Sequence, residues 1–576
     1  MLRTAATETI DAVVVVVGGG GAGLRAAYAA AATGARTVLV LKGRLTTSGA
    51  TAFGVAELAG FAVPDSAGDP LDSPDVHFDD IMRVGQGCND PRLVRVLVDE
   101  AVSAAADLER WGVEFVLDPK TGKPLVAMGD FASRPRNRKI YHHGKPITVA
   151  LKNEIRKLGV TVVERTAVLG LLRSDHGVEG VVGLTAEGKL LRINAGATVL
   201  ATGGAGQLFE LSLMPPDITG DGYAFGYRAG AELVNMEFMQ AGFGTIKPAL
   251  NIIMTWLWAF NPKFVDRDGR PVLDGVLPKD VTSQQVMKTK VKHYPFSASD
   301  DSKWLEIGAK KAMDEGRVTE LGGFRLDLRG VDESILPAGS DLAVMWPITK
   351  QWLLKKRVDV TQEPLEVGLF GHAINGGLVI SADCETTVPG LFAVGETAGG
   401  PYGADRLGGN MLLNTQVFGK RAGRRAAEVG RARKSARRHA SQPPEIEMLL
   451  RARGSIGAKE ALRRVKKTMS QGVLVVRNER GLARAHDELE VLRAEIDAGR
   501  FRADDVMQVT DLSEAMNLLD VGTLMIAAAC VRKETRGSHY REDYPHTDAQ
   551  WARPVMIRKA AHGPDAAAGS FAEVIA

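Results

Sequence analysis

The sequence predicts an α/β chain: a Rossmann-like nucleotide-binding domain, interrupted by an inserted α+β domain and followed by a helical C-terminal domain. Three observations carry this. Near the start, a β-branched apolar run leads into a glycine cluster, an alanine-rich helix and a second apolar strand. From about Leu233 to Leu365 the pattern turns to aromatics, charged turns and irregular spacing, after which short apolar strands and glycine turns return. From Ile446 to Cys530 the sequence is charge-rich with helical periodicity. A chain of 576 residues also exceeds one hydrophobic core. The expected boundaries are 1–232 and 366–430 for the two parts of the nucleotide-binding domain, 233–365 for the insertion and 445–576 for the helical domain.

Ile10–Val17 reads as a buried parallel strand, Leu24–Thr33 as a helix closed by Gly34, and Arg36–Leu41 as a second strand, which together make a βαβ unit. Between strand and helix, Gly18 to Gly23 fit G-x-G-x-x-G. Gly18 permits the tight turn, Gly20 lets a pyrophosphate approach the backbone, and Gly23 lets the helix pack on the strand. The free N–H groups and positive dipole end of the helix then face the phosphates. The acid that commonly binds ribose at the end of the second strand is missing; the chain reads Val40-Leu41-Lys42 there, which argues against NAD as the only nucleotide. Further along, Ser73–Trp111 is mostly helical, Ile147–Leu158 is a helix, Val160–Glu164 and Val178–Thr185 are strands, and Lys189–Ala201 alternates before Gly203. Arg424–Pro444 is basic and reads as a linker or exposed helix end, and the small residues from about Ala560 onward read as poorly ordered.

The net charge of +3 is too small to point to nucleic acid. Cys88, Cys384 and Cys530 are far apart with no CxxC pair, so no metal is expected and a reducing cytoplasm fits. No signal-peptide layout is seen at the N-terminus, and no stretch reads as long and apolar enough to span a bilayer.

Three later segments favour FAD. Ala201-Thr202-Gly203-Gly204 closes an apolar strand with small residues, as close cofactor approach requires. Thr219-Gly220-Asp221-Gly222 precedes a helix through Ala229, and Pro389–Glu396 is a strand leading into the glycine-rich stretch Gly399–Gly409. A second glycine-rich element so far downstream brings the chain back to its cofactor after an insertion, which a long flavin dinucleotide needs more than a nicotinamide one.

With these segments, the chain resembles the flavoprotein subunits of fumarate reductase and succinate dehydrogenase, together with L-aspartate oxidase. Lys533–Pro545, K-E-T-R-G-S-H-Y-R-E-D-Y-P, is similar to the family's K-E-S-R-G-A-H-Y-R-E-D-x-P, and Gly403–Asn410 to its G-A-N-R-L-G-S-N. Phe324–Arg329 resembles a capping-domain strand. The resemblance implies an FAD-binding Rossmann-like domain split by an α+β capping domain, with Lys42, Ser48, Asp221, Glu396, Met411 and Leu412 at the cofactor. From the residues alone, Glu396 also reads as a helix-capping carboxylate and Asp221 as a plain N-cap.

The departures are at the chemistry. Where many members carry a histidine bonded to FAD, this chain has Gly49, so FAD is expected to be non-covalent. The family's M-E-F-x-Q-F-H-P-T stands opposite Met236–Thr245, which lacks the substrate histidine, and no arginine matches the family's proton shuttle. His372 matches the histidine of its H-Y-T-M-G-G and Arg406 its carboxylate-binding arginine. Arg406 can clamp a carboxylate bidentately or serve as a structural ion-pair partner; His372 can donate to the substrate or be a buried structural histidine. Tyr402, and more weakly Lys247, are candidates for proton transfer. Trp256, Trp258 and Phe260 either wall a pocket or, the favoured reading, pack a core. The function expected is an FAD-dependent dehydrogenase or reductase exchanging hydride with a small carboxylate-bearing substrate other than plain succinate or fumarate. An oxidase that passes electrons to oxygen, an electron-transfer subunit with an iron–sulfur partner, and a non-catalytic FAD-binding protein stay open beside it.

Overall fold

In the computed structural model, the structure describes residues 8–53, 57–118, 121–252, 255–336, 341–433 and 440–573. The strand Glu8–Val17 carries the run AVVVVV, and Val14–Val17 are buried on both faces, as a central parallel strand must be. It pairs in parallel with Thr37–Val40 on one side and with Leu190–Leu200 along its whole length on the other. A seven-stranded sheet results among the described residues, extended by Thr161–Val163 beyond Thr37–Val40 and by Gly177–Thr185 and Thr166–Ser174 beyond Leu190–Leu200. The late strand Leu391–Ala393 pairs in parallel with Thr198–Leu200, so the chain does return to the first sheet after the insertion.

The helix Gly21–Ala31 is almost all glycine and alanine on its buried side, and the helix Asn410–Ala432 lies along it. A Cβ at Gly419 would overlap Ala22 O, and one at Gly423 would overlap Ala26 O. Thr415 sits at Gly21 and Arg431 reaches Thr33 O, so the two helices run in the same direction with their N-termini side by side. The basic segment expected as a linker therefore begins inside a helix, at Arg424, while 434–439 lie outside the described residues.

The inserted sheet runs in the order Met239–Lys247, Leu365–Ile374, Phe324–Asp327, Lys263–Val265, all antiparallel. Leu365–Ile374 hydrogen-bonds to Met239–Lys247 over its whole length, so this sheet continues past residue 365, where the sequence pattern suggested a return to the first domain. Leaving and returning segments meet as a short ribbon, Leu233 opposite Leu378 and Val234 opposite Gly377. The C-terminal hairpin Val555–Ala560 and Gly563–Ala568 adds to the ribbon's other edge. The residues after Ala560, expected to be poorly ordered, are thus strand through Ala568, because the hairpin's backbone groups are paired.

The C-terminal region holds the helices Ala458–Gly472, Glu479–Asp497 and Val506–Val531. Val506–Val531 is long and apolar enough to cross a membrane, contrary to the expectation from sequence. Most of it is buried against Ala458–Gly472, Glu479–Asp497 and Asp221–Ala229, and a helix apolar all round is what the centre of a protein core requires.

Gly423→Val is expected to destabilise the chain by about 1–3 kcal/mol in urea unfolding, the usual cost of overpacking a tight contact. Gly457→Ala, whose added methyl meets open space, serves as the control and is expected to stay within about 0.5 kcal/mol.

Candidate active site

The parallel helices Gly21–Ala31 and Asn410–Ala432 open their N-termini on one cavity of about 1060 Å³, at the upper end of cofactor-site sizes. Neither helix has an acidic residue in its first turn or a side-chain cap, so two uncompensated positive helix ends face the same space. Gly18 takes φ 109° and a Cβ there would overlap Ala201 O; Gly20 is the N-cap and faces the cavity. Gly23 is not in the wall: it packs against Gly18 O, the helix-on-strand role its place in the motif demands. Ala201 and Gly203 line the cavity from the end of the neighbouring strand, and Met411 and Leu412 from the second helix.

Lys42 stands where a ribose-binding acid was missing. Its Nζ donates to Thr219 Oγ1 at 2.7 Å and Glu514 Oε1 at 2.6 Å, and lies 2.9 Å from Asp221 Oδ2. Burial works against the charge, but the two carboxylates outweigh it and hold the ammonium above its ordinary range. Asp221 also accepts from Thr219 Oγ1 and Asn517 Nδ2, both at 2.9 Å, so it ties the C-terminal helix to this wall instead of capping its own helix. Ser48 lines the cavity while its hydroxyl donates to Arg44 O, and the adjacent Gly49, φ 80°, donates its N–H to Asp217 Oδ2 at 2.9 Å.

Glu396 caps no helix either. Its Oε1 accepts the Ile374 N–H at 3.0 Å, which links it to the inserted sheet, and a Cβ at Gly204 would overlap its carboxylate. Burial pushes Glu396 up to about 7, with the Ile374 N–H and the Arg406 charge pulling the other way.

His372 and Arg406 line the same cavity. Burial, helped by the charges of Arg406 and His143, pushes His372 down to about 3, so it is a neutral imidazole at ordinary pH. Its Nδ1 is buried with no hydrogen-bond partner. Arg406 donates to Gln240 Oε1 at 2.9 Å, its Nε is likewise buried without a partner, and among the described residues no carboxylate is ion-paired to it. Tyr402, by contrast, is buried behind the wall, its hydroxyl donating to Asn410 O at 3.4 Å, and does not line the cavity. Lys247 is exposed at the end of its strand, away from it. The aromatic trio divides: Trp256 lines the cavity, whereas Trp258 and Phe260 are buried in the core of the insertion, 5.4 Å from Phe264 and 4.9 Å from Trp346 between ring centres.

Sequence reasoning missed a loop of the insertion. Lys292, His293, Tyr294 and Asp300 line the cavity opposite Asp130 and Phe131. A Cβ at Gly242, where the resemblance leads us to expect a histidine, would come 2.7 Å from the Tyr294 ring, so Tyr294 occupies that space. Its ring meets His372 edge-on at 5.7 Å and its hydroxyl donates to Phe243 O at 3.0 Å. The only signal in the sequence was the compact Lys292-His293-Tyr294-Pro295 run, which has no spacing that ties it to Gly242.

Glu396 has a sign that can be checked. Its native carboxyl holds a proton more tightly than the unfolded one, so stability present below about pH 4.5 is lost as pH rises through about 7. In FAD-free protein, Glu396→Gln is expected to raise stability at pH 8.5 by on the order of 3 kcal/mol and to leave it unchanged at pH 4, read by thermal or urea melts.

A family model described as FAD binding domain matches residues 13–412, and one described as fumarate reductase flavoprotein C-term matches 462–568. A fumarate reductase (CoM/CoB) subunit of Methanothermobacter marburgensis is 31% identical over 557 residues, covering 93% of this chain and 95% of that one. L-aspartate oxidase of Streptomyces coelicolor is 31% identical over 571 residues, covering 93% and 89%. The solved structure of Mycobacterium smegmatis Sdh1 in complex with UQ1 superposes with a TM-score of 0.83 at 28% identity, covering 98% of this chain and 95% of that one. With the glycine turn, the paired helix ends and the return strand on one cavity, these similarities place the chain in the family of FAD-dependent oxidoreductases that includes fumarate reductase and L-aspartate oxidase.

Proposed function

We propose that this FAD-dependent oxidoreductase exchanges hydride with a small organic substrate that carries a carboxylate and is neither plain succinate nor plain fumarate. The observation that carries this is the pair of buried polar atoms without a partner in the cavity wall, Arg406 Nε and His372 Nδ1. A buried polar atom without a partner is costly, and a bound oxyanion relieves that cost for Arg406. FAD, when bound, supplies the hydride acceptor or donor. The residues that would hold it are Gly18, Gly20 and Ala201 around the phosphates, Lys42 and Glu396 along the wall, and Met411 and Leu412 at the second helix end.

Arg406 fixes the substrate carboxylate with a charged fork, which orients the reacting carbons and excludes other poses. His372, neutral and in van der Waals reach of Tyr294, presents a nitrogen to the substrate without adding a second positive charge. The altered contour at Gly242 and Tyr294 supports a substrate of a shape other than a four-carbon diacid. Gly49 supports FAD held without a covalent bond. A separate electron-transfer partner of the iron–sulfur type fits relatives that are themselves named as subunits.

Anaerobic bleaching of the visible flavin absorbance by a panel of carboxylic and amino acids tests the reading. One or more larger acids are expected to bleach it faster than succinate; bleaching by dithionite alone, with no reoxidation of the reduced protein by any unsaturated acid, would defeat the substrate assignment. With the acid so found, Arg406→Ala is expected to raise KM about 10–100-fold with FAD content unchanged, equivalent to the ~1.5–3 kcal/mol of hydrogen bonds to a charged group. Acid precipitation of the purified protein is expected to leave all its yellow colour in the supernatant; colour retained in the pellet would show a covalent bond.

A further inference from the structure

None of the groups assigned above to the substrate is placed to carry its proton, and Glu396 is held by the Ile374 N–H on the cofactor side of the wall. Arg406 is committed to the anion, His372 is held neutral, and Tyr402 lies behind the wall. The loop after the helix Ser283–Lys290 brings a different group to the cavity. His293 is buried, with Nδ1 2.8 Å from Pro295 O and Nε2 2.9 Å from Asp300 Oδ2. A carbonyl only accepts, so Nδ1 carries a proton. Burial raises Asp300, but the His293 imidazole and the Ser302 donors overcome this and hold it down at about 2, so its carboxylate is a second acceptor, opposite Nε2. Nε2 also lies 3.2 Å from Ser302 Oγ, and with acceptors opposite both nitrogens the ring is placed to hold two protons. Its ring stacks on Phe131, 4.3 Å between centres and 22° between planes, so a residue of the insertion is seated on the first domain across the cavity. Asp130, next to Phe131, anchors the same loop by accepting the Tyr294 N–H at 2.9 Å. The Asp300 side chain is 33% exposed and lines the cavity, whereas the His293 side chain is 2% exposed. Both residues are in the cavity wall, with the buried imidazole held against the more exposed carboxylate.

We propose that Asp300 and His293 form the proton-transfer pair of this site, with Asp300 the group that touches the substrate and His293 the positioning residue that stores the proton. This rests on the carboxylate-substrate reading above. In the reducing direction a carbon–carbon double bond conjugated to the carboxylate takes hydride at one carbon, its two electrons coming from reduced FAD. The π electrons form the new C–H bond at the neighbouring carbon with a proton from Asp300 Oδ2, which Nε2 of His293 supplies. His293 is left as a neutral imidazole that keeps its Nδ1 proton on Pro295 O, and water at the exposed face of Asp300 restores the lost proton. The oxidising direction is the reverse, with Asp300 taking the proton. The charges around the pair come from every side: Lys290 from the preceding helix, its Nζ 3.3 Å from Pro295 O; Glu306 from the following helix, 2.5 Å from Lys290; Asp405 from the glycine-rich loop; Asp130 from the facing domain; and Lys292 beside His293.

The test uses the full FAD-loaded chain, reduced with dithionite and reoxidised anaerobically by fumarate, crotonate and cinnamate in stopped flow, across pH and in D2O. Asp300→Asn is expected to slow reoxidation by about 10²–10⁴-fold, the range of a general acid. Asp300→Glu is expected to recover part of the rate. His293→Gln strips Asp300 of its store, so the alkaline fall of the rate is expected to move to lower pH, which loss of a merely structural residue would not do. FAD content and its visible spectrum are expected to stay unchanged in all three. Histidine-labelled ¹⁵N spectra give a readout without turnover: one doubly protonated imidazole at neutral pH, absent in His293→Gln and neutral in Asp300→Asn. A neutral His293 in the parent protein, or His293→Gln with the parent's rate and pH profile, overturns the proposal. If no acid reoxidises the parent protein while His293 is still doubly protonated, the carboxylate reading is what has failed, and the proposal falls with it.

Discussion

Gly419 and Gly423 let the helix Asn410–Ala432 press onto the backbone of Gly21–Ala31, and that contact sets the geometry of everything around it. Two segments some four hundred positions apart become parallel helices whose N-termini end level with each other. Helix dipoles add no useful field along the middle of a helix, but at a bare N-terminus the unpaired N–H groups and the dipole favour negative charge. Two such ends, with no acid in either first turn, make one extended anion-favouring wall. Anything larger than glycine at the crossing would separate the helices and split that wall.

The acidic groups that remain near the wall are handled by charge balance. Asp221 would oppose a phosphate on its own; Lys42 neutralises it and takes Glu514 from the C-terminal helix as a second partner. Glu396 is handled differently, by burial that favours its neutral form and by an N–H from the inserted sheet. The C-terminal helices and the insertion are therefore both tied to the cofactor wall through a carboxylate, Asp221 for the one and Glu396 for the other. The ribbon at Leu233 and Leu378 confines the insertion's two connections to one place, so the insertion meets the first domain at that ribbon and across the cavity.

Across the cavity, the contact is made by residues of small sequence signal. Phe131 stacks on His293 and Asp130 holds the Tyr294 N–H, while Tyr294 fills the volume that Gly242 leaves. The glycine on the strand and the tyrosine from the loop are packed as one unit, because protein interiors do not tolerate a void of that size without cost. This is why the loop between Lys290 and Lys303 belongs to the cavity wall although no motif marks it.

Local patterns alone determined the first βαβ unit, the return strand after the insertion and the places of Gly18, Gly20 and Gly23 in the turn between strand and helix, since β-branched runs, alanine-rich periodicity and obligatory glycines act within a few residues of themselves. The similar motifs at Gly403–Asn410 and Lys533–Pro545 pointed to the family, and with it to FAD and to Arg406 and His372 as cavity residues. Where the inserted sheet ends, whether Tyr402 faces the cavity, which of three neighbouring aromatics is wall and which is core, and that Val506–Val531 is a core helix were decided only by tertiary packing. The same holds for His293 and Asp300. Their pairing follows from which groups lie opposite each ring nitrogen, and hydrogen-bond partners brought together by folding leave no periodicity or spacing in the sequence to read.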